Sequence, residues 1–410
     1  MKYVIIGNST AAVACVEGIR STDSFGQITI ISSEKYHTYS RPLISYLLQG
    51  KTDMERMKYR GNDFYEKNKC SCLFERTATK INPEEKTVTL SNGGTVPYDK
   101  LLVATGSKPF VPPMKGLENV KNKFNFMSLD NALDLEKKLK KSSRVLIIGA
   151  GLIGLKCAEG ISGKCKSITV VDLADKVMPS VLDERSSEMV KDHIEKQGIN
   201  FILSDSVAEF NGSRAVLKSG TETEFDIVVL AVGVKPNTEL IAECGGKVNK
   251  GIVTDFTGLT SIENVYAAGD CAESYDITSN SNKILALLPN AYLQGETAGI
   301  NMAGGSKTFE NAVPLNSIGF FGLHIATAGS YEGDSYVTST SNSYKRLITR
   351  DNKLVGFILV GDVAKAGIYT SMIREQMPLD SLDFQSIREN PSMIAMNEGY
   401  RRLKLSAIKQ

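Results

Sequence analysis

Hydrophobic residues along this chain form short runs that alternate with longer amphipathic segments. Near the N-terminus, an apolar run at 3–6 leads into a glycine, a segment with helical spacing from about 10 to 20, and a second apolar run at 28–31. Strand, turn, helix and strand in this order predict a βαβ unit with parallel strands. The same order recurs from 144 to 171, so the pattern predicts a duplicated α/β fold.

The second copy carries a complete Gly-x-Gly-x-x-Gly motif, made by Gly149, Gly151 and Gly154, with Ile153 between the last two. The first glycine makes a tight turn, the second lets the backbone approach a pyrophosphate, and the third lets the helix pack on the strand. Asp172 ends the following strand, at about the 20-residue distance expected of an acid that binds the adenosine ribose. A carboxylate there also repels a 2′-phosphate, so the motif favours NAD(H) over NADP(H).

The N-terminal copy has the same layout, but Ser9 and Ala12 replace the second and third glycines. Its acid, Glu34, falls two residues beyond the position that corresponds to Asp172, where Ser32 stands. The motif admits alanine at its third position, so Ser9 is the main departure. We expect its hydroxyl either to donate to a pyrophosphate or to point away from it. Two dinucleotide folds favour hydride transfer between two dinucleotides; a duplicated fold with one inactive site is the alternative.

Four further stretches follow in a fixed order. They are 36–43 (YHTYSRPL), 98–107 (YDKLLVATGS), 226–237 (DIVVLAVGVKPN) and 264–270 (NVYAAGD). Together with the glycine motifs, this order resembles the FAD/NAD-linked reductases of the pyridine nucleotide-disulfide type. Within them it is most similar to the branch of NADH:rubredoxin reductases and nitrite reductase flavin subunits. The resemblance covers residues 1 to about 365.

The resemblance implies one site for FAD and one for NADH, and we predict no catalytic side chain and no metal site. At the second site, Gly233 would flank the nicotinamide beside the glycine motif and Asp172. At the FAD site, the pyrophosphate would lie at Gly7, Ser9 and Ala12, and the adenosine ribose at Glu34. The flavin and phosphates would lie against Arg41 and Pro42, the adenine at Ala78, and the ribityl chain or phosphates at Asp270. Beneath the cofactor would lie Ala104, Thr105 and Gly106, and a helix from Leu288 to about Met302, which contains Pro289, would face the flavin pyrimidine with its positive end.

Cysteine usage narrows the chemistry. Relatives that reduce disulfides carry a redox-active cysteine about forty residues into the chain, where this sequence reads YSRPLIS at 39–45. No Cys-x-x-Cys occurs, and no histidine follows His324. These absences argue against thiol chemistry and Fe–S ligation. They leave hydride transfer from NADH to FAD, with electrons passing to a rubredoxin or ferredoxin-type protein. The alternatives are a flavoprotein subunit of a larger Fe–S complex and an NADH oxidase or peroxidase.

The predicted fold class is α/β, with two Rossmann-like domains and a small α+β interface domain. The FAD domain is predicted at 1–113 and 243–311, the NAD domain at 114–242, and the interface domain, with a helical tail, at 312–410. In the interface domain, strands at 343–349 and 354–359 flank a turn. The last ten residues carry four positive charges, which indicate either a docking element for an acidic partner or a solvated helix. A homodimer or a hetero-oligomer is compatible with this organisation.

Composition adds limits on partners and location. The net charge of +2 gives no argument for nucleic acid. No apolar run approaches the roughly 18 residues that span a bilayer. Scattered cysteines fit a reducing compartment, and strand residues follow Met-Lys at once, so we expect a cytoplasmic protein without signal peptide or membrane segment. Lys156 stands two residues after Gly154, where many relatives carry a glutamate that helps place the nicotinamide. It is either a solvated helix residue or a functional one.

Overall fold

The structure, a computed structural model, describes residues 1–392, 395, 398, 399, 401 and 402. Its strands are β1 Lys2–Ile6, β2 Gln27–Ile31, β3 Cys70–Leu73, β4 Ala78–Asn82, β5 Thr87–Leu90, β6 Thr95–Pro97, β7 Lys100–Val103, β8 Ser107–Pro109, β9 Lys123–Asn125, β10 Arg144–Ile148, β11 Ser167–Val171, β12 Ile199–Ile202, β13 Val207–Asn211, β14 Arg214–Leu217, β15 Glu222–Glu224, β16 Ile227–Leu230, β17 Val234–Pro236, β18 Val265–Ala267, β19 Ser274–Asp276, β20 Ser281–Lys283, β21 Leu315–Phe320, β22 Leu323–Gly329, β23 Asp334–Ser339, β24 Tyr344–Arg350 and β25 Lys353–Val360. Its α-helices are α1 Thr10–Thr22, α2 Ile44–Leu48, α3 Phe64–Lys67, α4 Leu129–Lys138, α5 Leu152–Ile161, α6 Glu184–Glu195, α7 Glu239–Glu243, α8 Leu288–Met302, α9 Ala366–Arg374 and α10 Phe384–Glu389.

Two five-stranded parallel sheets repeat one topology. The first has the order β18-β7-β1-β2-β3 and the second β9-β16-β10-β11-β12. In each, the central strand leads through a helix to one neighbour, and a three-stranded antiparallel sheet (β4–β6 or β13–β15) precedes its other neighbour, β7 or β16. The predicted duplication and fold class are confirmed, and the duplication extends well beyond the glycine motifs.

Both faces of the first sheet are covered, which explains why β1 is apolar along its length. Tyr3 and Ile5 pack with residues of α1 and α8, whereas Val4 and Ile6 pack with residues of β4 and β5 on the other face. The second sheet repeats this arrangement, since Leu146 and Ile148 pack with residues of β13 and β14. Alternate residues of one strand therefore belong to two separate cores.

The described chain divides into two compact units. The first comprises Met1–Ser180, Ile194–Ser274 and Asn282–Glu310, and it contains both parallel sheets. The second comprises Val181–His193, Tyr275–Ser281 and the described residues from Asn311 on.

The second unit is built on an antiparallel sheet in the order β21-β22-β25-β24-β23. Phe357 of β25 packs with Tyr369 and Met372 of α9 in its core. Strands β24 and β25 confirm the two predicted strands of this region. The domain boundaries remain predictions, and the basic terminal segment at 403–410 lies outside the described residues. Within the residues that the structure describes, no helix has the length and apolar character needed to cross a membrane.

Candidate functional site

The two glycine turns have the same construction. Gly7 and Gly149 have φ values of +125° and +112°, and each donates its N–H to the last residue of the neighbouring strand at 2.8 Å. A Cβ at either position would collide with a carbonyl oxygen, that of Ala104 at Gly7 and that of Ala231 at Gly149. Glycine is therefore required at both turns by conformation and by space.

The two turns differ at the second motif position. Gly151 precedes α5 in extended conformation, and a Cβ there would meet nothing within 4 Å. Ser9 holds the corresponding N-cap position of α1, also extended, and its side chain caps no N–H of that helix. The hydroxyl therefore occupies a site that has room for a side chain, next to the unsatisfied amides of a helix N-terminus.

The third position explains the replacement of glycine by alanine. A Cβ at Gly154 would collide with the Gly149 carbonyl, so only glycine fits α5 as it stands. In the N-terminal copy the Ala12 methyl is accommodated and buried at 1% exposure. Helix α1 thus tolerates one more carbon at this contact than α5 does.

A cleft of about 640 Å³ opens at the N-terminal turn. Most of the residues predicted to hold FAD line it, although they come from widely separated parts of the chain. Pro42 and Pro289 do not line it, and both are exposed. Helix α8 reaches the cleft through Leu288 and Ala291 instead. The predicted residues that line the cleft are Gly7, Ser9, Ala12, Glu34, Arg41, Ala78, Ala104, Thr105, Gly106 and Asp270.

Glu34 and Arg41 are paired with each other inside this cleft. Arg41 Nη2 lies 2.6 Å from Glu34 Oε1, and Tyr39 Oη donates to Glu34 Oε2 at 2.8 Å. The resemblance assigned these two residues to different parts of FAD, whereas the structure joins them through one carboxylate. Tyr39, which carried no assigned role, is buried at the centre of this group.

The wall of the cleft also includes residues that precede the second fold. Tyr39 Oη accepts the N–H of Leu129 at 3.0 Å, and Arg41 Nη1 lies 3.4 Å from the Met127 carbonyl. Ser128 and Asn131, at the start of α4, line the cleft as well. No sequence motif marked this segment, because its contribution depends on how α4 packs.

Asp270 follows β18 and Gly269 and lies in the cleft wall. Burial raises the pKa of its carboxyl, while the Ser107 hydroxyl and the charge of Arg41 oppose that rise. The Ser107 Oγ to Asp270 Oδ2 distance is 3.5 Å. The cleft thus combines a half-buried acid, a basic guanidinium and the open amides of α1, which suit a ligand with phosphates and hydroxyls.

The residues predicted for the nicotinamide nucleotide lie outside this cleft, at the second turn. Asp172 Oδ2 accepts the N–H of Ala150 at 2.6 Å, and Asp172 Oδ1 accepts that of Ala174 at 2.8 Å. These bonds hold the carboxylate against the glycine turn and leave further lone pairs on both oxygens. Ile153 is in the first turn of α5, and Gly233 is exposed between β16 and β17 with open space around it.

Comparison with known proteins identifies the family. A family model for pyridine nucleotide-disulphide oxidoreductases matches residues 1–295. The chain belongs to the pyridine nucleotide-disulphide oxidoreductase family. A second model, for the rubredoxin NAD+ reductase C-terminal domain, matches residues 314–377. The predicted resemblance is confirmed, and the chain is an NAD(P)H-dependent flavoprotein oxidoreductase. Membership of this family implies FAD and NAD(P)H as cofactors.

Individual members of the family are similar over nearly the whole chain. The epsilon subunit of the NADH-dependent phenylglyoxylate dehydrogenase of Aromatoleum evansii is 30% identical over 93% of both chains. The nitrite reductase [NAD(P)H] of Bacillus subtilis is 33% identical over 94% of this chain, which spans only 49% of that enzyme. A solved structure, the NAD-dependent persulfide reductase of A. fulgidus, superposes with a TM-score of 0.85 at 28% identity, over 93% of this chain and 78% of that one.

The cysteines of this family member do not line the cleft. All seven are free thiols, and the described residues that line the cleft include none of them. Burial raises the pKa of Cys70 to about 12 and that of Cys72 to about 11, so both are protonated at neutral pH. Across the described part of the chain, no group of three or more His, Cys, Asp or Glu side chains is placed to hold a metal ion.

Lys156 is not the solvated helix residue that one interpretation of the sequence offered. Its side chain is only 14% exposed, and it forms an ion pair with Glu159, which is 4% exposed. Its ammonium also lies 4.5 Å from the centre of the Tyr46 ring. The lysine therefore belongs to the interior of this unit.

Proposed function

We propose that this chain is an FAD-dependent oxidoreductase that takes a hydride from NADH and passes the electrons to a small iron protein of the rubredoxin or ferredoxin type. The observation that carries the proposal is the repeated turn. One copy opens into a cleft lined by a basic side chain, an acid and free helix amides, and the other presents Gly151 and Asp172 at an open surface. Two such sites in one family member support two dinucleotides.

In the proposed FAD site, the amides of α1 and the Ser9 hydroxyl would bind the pyrophosphate, with Gly7 and Ala12 shaping the turn. Arg41 would exchange part of its pairing with Glu34 for a phosphate, which frees that carboxylate for the ribose. Asp270 would bind the ribityl chain, and the N-terminus of α8 would stabilise negative charge on the reduced ring. The backbone of four further residues would contact the cofactor: Ala78, Ala104, Thr105 and Gly106. Pro42, in the turn before α2, and Pro289, at the start of α8, would support the site from outside the cleft.

In the proposed NADH site, the pyrophosphate would bind at the start of α5, against Gly149, Gly151, Ile153 and Gly154. Gly233 would flank the nicotinamide. Asp172 would accept hydrogen bonds from the ribose hydroxyls on its remaining lone pairs. Because its carboxylate is already fixed by two backbone amides, it would also repel a 2′-phosphate without moving away. This is the basis on which we propose NADH rather than NADPH.

Bound FAD supplies the redox chemistry, since it accepts two electrons together and releases them singly. The chain's own residues bind and orient the two nucleotides and exclude water. One NADH then reduces two one-electron iron centres, and one proton leaves to solvent. We assign no thiol to this reaction, since burial raises the pKa of the cysteines and none of them lines the cleft.

The nature of the acceptor is supported by the C-terminal match to the rubredoxin NAD+ reductase domain. A second candidate function is supported by the full-length similarity to the epsilon subunit of a dehydrogenase: the chain would then be the flavoprotein subunit of a larger Fe–S complex. An NADH oxidase or peroxidase is a third hypothesis. The lack of a cysteine among the described residues that line the cleft argues against it. We also retain the domain boundaries at 113, 242 and 311 as part of this proposal.

Turnover of the FAD-loaded chain with NADH distinguishes these functions. We expect faster reduction of rubredoxin or ferredoxin than of oxygen under equal NADH concentrations. Oxygen consumption at the same rate would favour the oxidase. Co-purification of a stoichiometric Fe–S polypeptide from the native source would identify the subunit function instead. As a site control, Arg41→Ala should weaken FAD retention, and unchanged flavin content would contradict the assignment of the cleft.

A further inference from the structure

Two short helices from different parts of the chain meet next to the two proposed nucleotide sites. Helix α2 follows directly after the turn of Arg41–Leu43, and α5 begins at the second glycine turn. They pack closely, since a Cβ at Gly160 of α5 would lie 3.2 Å from the Ser45 carbonyl oxygen. The two helix backbones are therefore in close contact.

Lys156 lies at this contact. Its ammonium is 4.5 Å from the centre of the Tyr46 ring on α2, and it pairs with Glu159 one turn further along α5. With side chains 14% and 4% exposed, lysine and glutamate have left most of their water. A buried pair of this kind costs desolvation, so it rarely improves stability compared with apolar residues. A cation over an aromatic ring is attracted most strongly when it is desolvated.

The location of the pair gives it a functional meaning. Lys156 is two residues beyond Gly154, and Tyr46 is five residues beyond Arg41, which lines the cleft. Both connections run through fewer than two turns of helix, which are stiff over this length. The contact between Lys156 and Tyr46 therefore links the backbone of one nucleotide turn to the segment that bounds the other site.

We propose that Lys156 is a positioning residue for hydride transfer, which it serves by fixing α5 against the Tyr46 ring of α2. The inference rests on the proposed function. In the step concerned, the C–H bond of the reduced nicotinamide breaks, and both its electrons move with the hydrogen to the flavin, leaving NAD+. Such transfers require the reacting atoms about 3–3.5 Å apart, and an error of about 1 Å can cost about a hundredfold in rate.

The test uses the full-length, FAD-loaded protein and single-turnover reduction of the flavin by NADH. Tyr46→Leu removes the ring, and Lys156→Met combined with Glu159→Leu removes both charges without leaving one of them buried alone. For each variant we expect the transfer rate at saturating NADH to fall about tenfold to a hundredfold. FAD content and the dissociation constant of NADH should stay within about twofold, because the variants leave the proposed ligand contacts in place.

Two matched variants separate positioning from simple packing. Tyr46→Phe keeps the aromatic face and should retain the wild-type rate. Lys51→Met removes a second lysine, which faces the same ring from 5.9 Å but is exposed, and it should also retain the rate. A triple variant, with Tyr46→Leu, Lys156→Met and Glu159→Leu, should slow transfer by less than the product of the two separate fold-losses. The reason is that the ring substitution and the charge substitutions remove the same contact.

Three results would overturn the inference. They are an unchanged transfer rate in both variants, a loss of rate that follows loss of FAD or unfolding, and equal slowing by Lys51→Met. If wild-type, FAD-loaded protein were not reduced by NADH at all, the proposed function itself would fail. A wild-type protein that is reduced, with variants that match it, would refute only the positioning role.

Discussion

Ser9 and Gly151 hold the same place in two similar turns, and this pairing makes the Ser9 side chain directly testable. Its hydroxyl caps no backbone N–H, so glycine at this position removes no hydrogen bond from α1. We expect Ser9→Gly to retain FAD with an affinity close to that of wild type. Ser9→Val should weaken FAD binding by about tenfold or more, because a branched apolar group would stand against the pyrophosphate. Equilibrium dialysis of FAD measures both; equal affinity would indicate that the turn is farther from the phosphates.

Asp172 carries the proposed preference for NADH. In Asp172→Asn, one oxygen remains to accept the Ala150 N–H, while the negative charge is lost. We therefore expect the KM for NADH to rise about tenfold and the preference for NADH over NADPH to narrow, since a hydrogen bond to a charged acceptor contributes about 1.5–3 kcal/mol. Steady-state kinetics with the two nucleotides give the ratio of kcat/KM values. An unaltered ratio would exclude Asp172 from ribose recognition.

For single residues, the sequence predicted some roles in the site and not others. The glycine turns and Asp172 could be placed because their conformation and spacing are local properties of the chain. The pairing of Glu34 with Arg41, the role of Tyr39 between them and the burial of Lys156 could not. Each depends on a partner contributed by another element, and a lysine on a helix surface gives no local sign that another helix covers it.

At the scale of elements, α1 and α8 are joined by a carboxylate. Glu17 of α1 accepts hydrogen bonds from Arg60 Nε at 2.6 Å and from Tyr292 Oη of α8 at 2.8 Å. Burial alone would raise the pKa of Glu17, but the bonds from Arg60 and Tyr292 lower it overall. The folded state therefore prefers the charged carboxylate more strongly than the unfolded state does.

This preference gives the stability of the protein a defined pH dependence. A lowered pKa in the folded state stabilises it above the unfolded-state value of about 4.3, and the contribution is lost as pH falls through the folded-state value. We expect Glu17→Gln to reduce the free energy of unfolding by about 1 kcal/mol at pH 7 and much less near pH 3. Urea unfolding at both pH values measures the difference. Glu55→Gln, at an exposed pair, is the control; an equal loss in both variants would refute the role of the α1–α8 contact.

The order of elements was only partly predictable. Strands and helices around the two motifs follow from apolar periodicity, and those expectations agree with the structure. Apolar periodicity does not predict the fifth strand of each parallel sheet. Strand β9 precedes its fold in the chain, whereas β18 comes after the whole second fold, and each is only three residues long. Strands this short carry too few side chains to show a period, and their partners are distant in sequence.

At the scale of the whole molecule, we propose one chain with two nucleotide sites and electrons that leave from the flavin. Its family membership and fold are established, and its acceptor and its state as a free enzyme or a subunit are proposals. Those proposals share one requirement, which is that NADH reduces FAD held by this chain. Failure at that step would remove the basis for every acceptor.

Anaerobic addition of NADH to the FAD-loaded protein tests that requirement most directly. We expect one equivalent of NADH to bleach the visible flavin absorption, NADPH to do so more slowly, and oxidised rubredoxin or ferredoxin then to restore it. Full retention of the oxidised flavin spectrum in excess NADH, by protein shown to contain FAD, would show that NADH does not reduce the flavin of this chain.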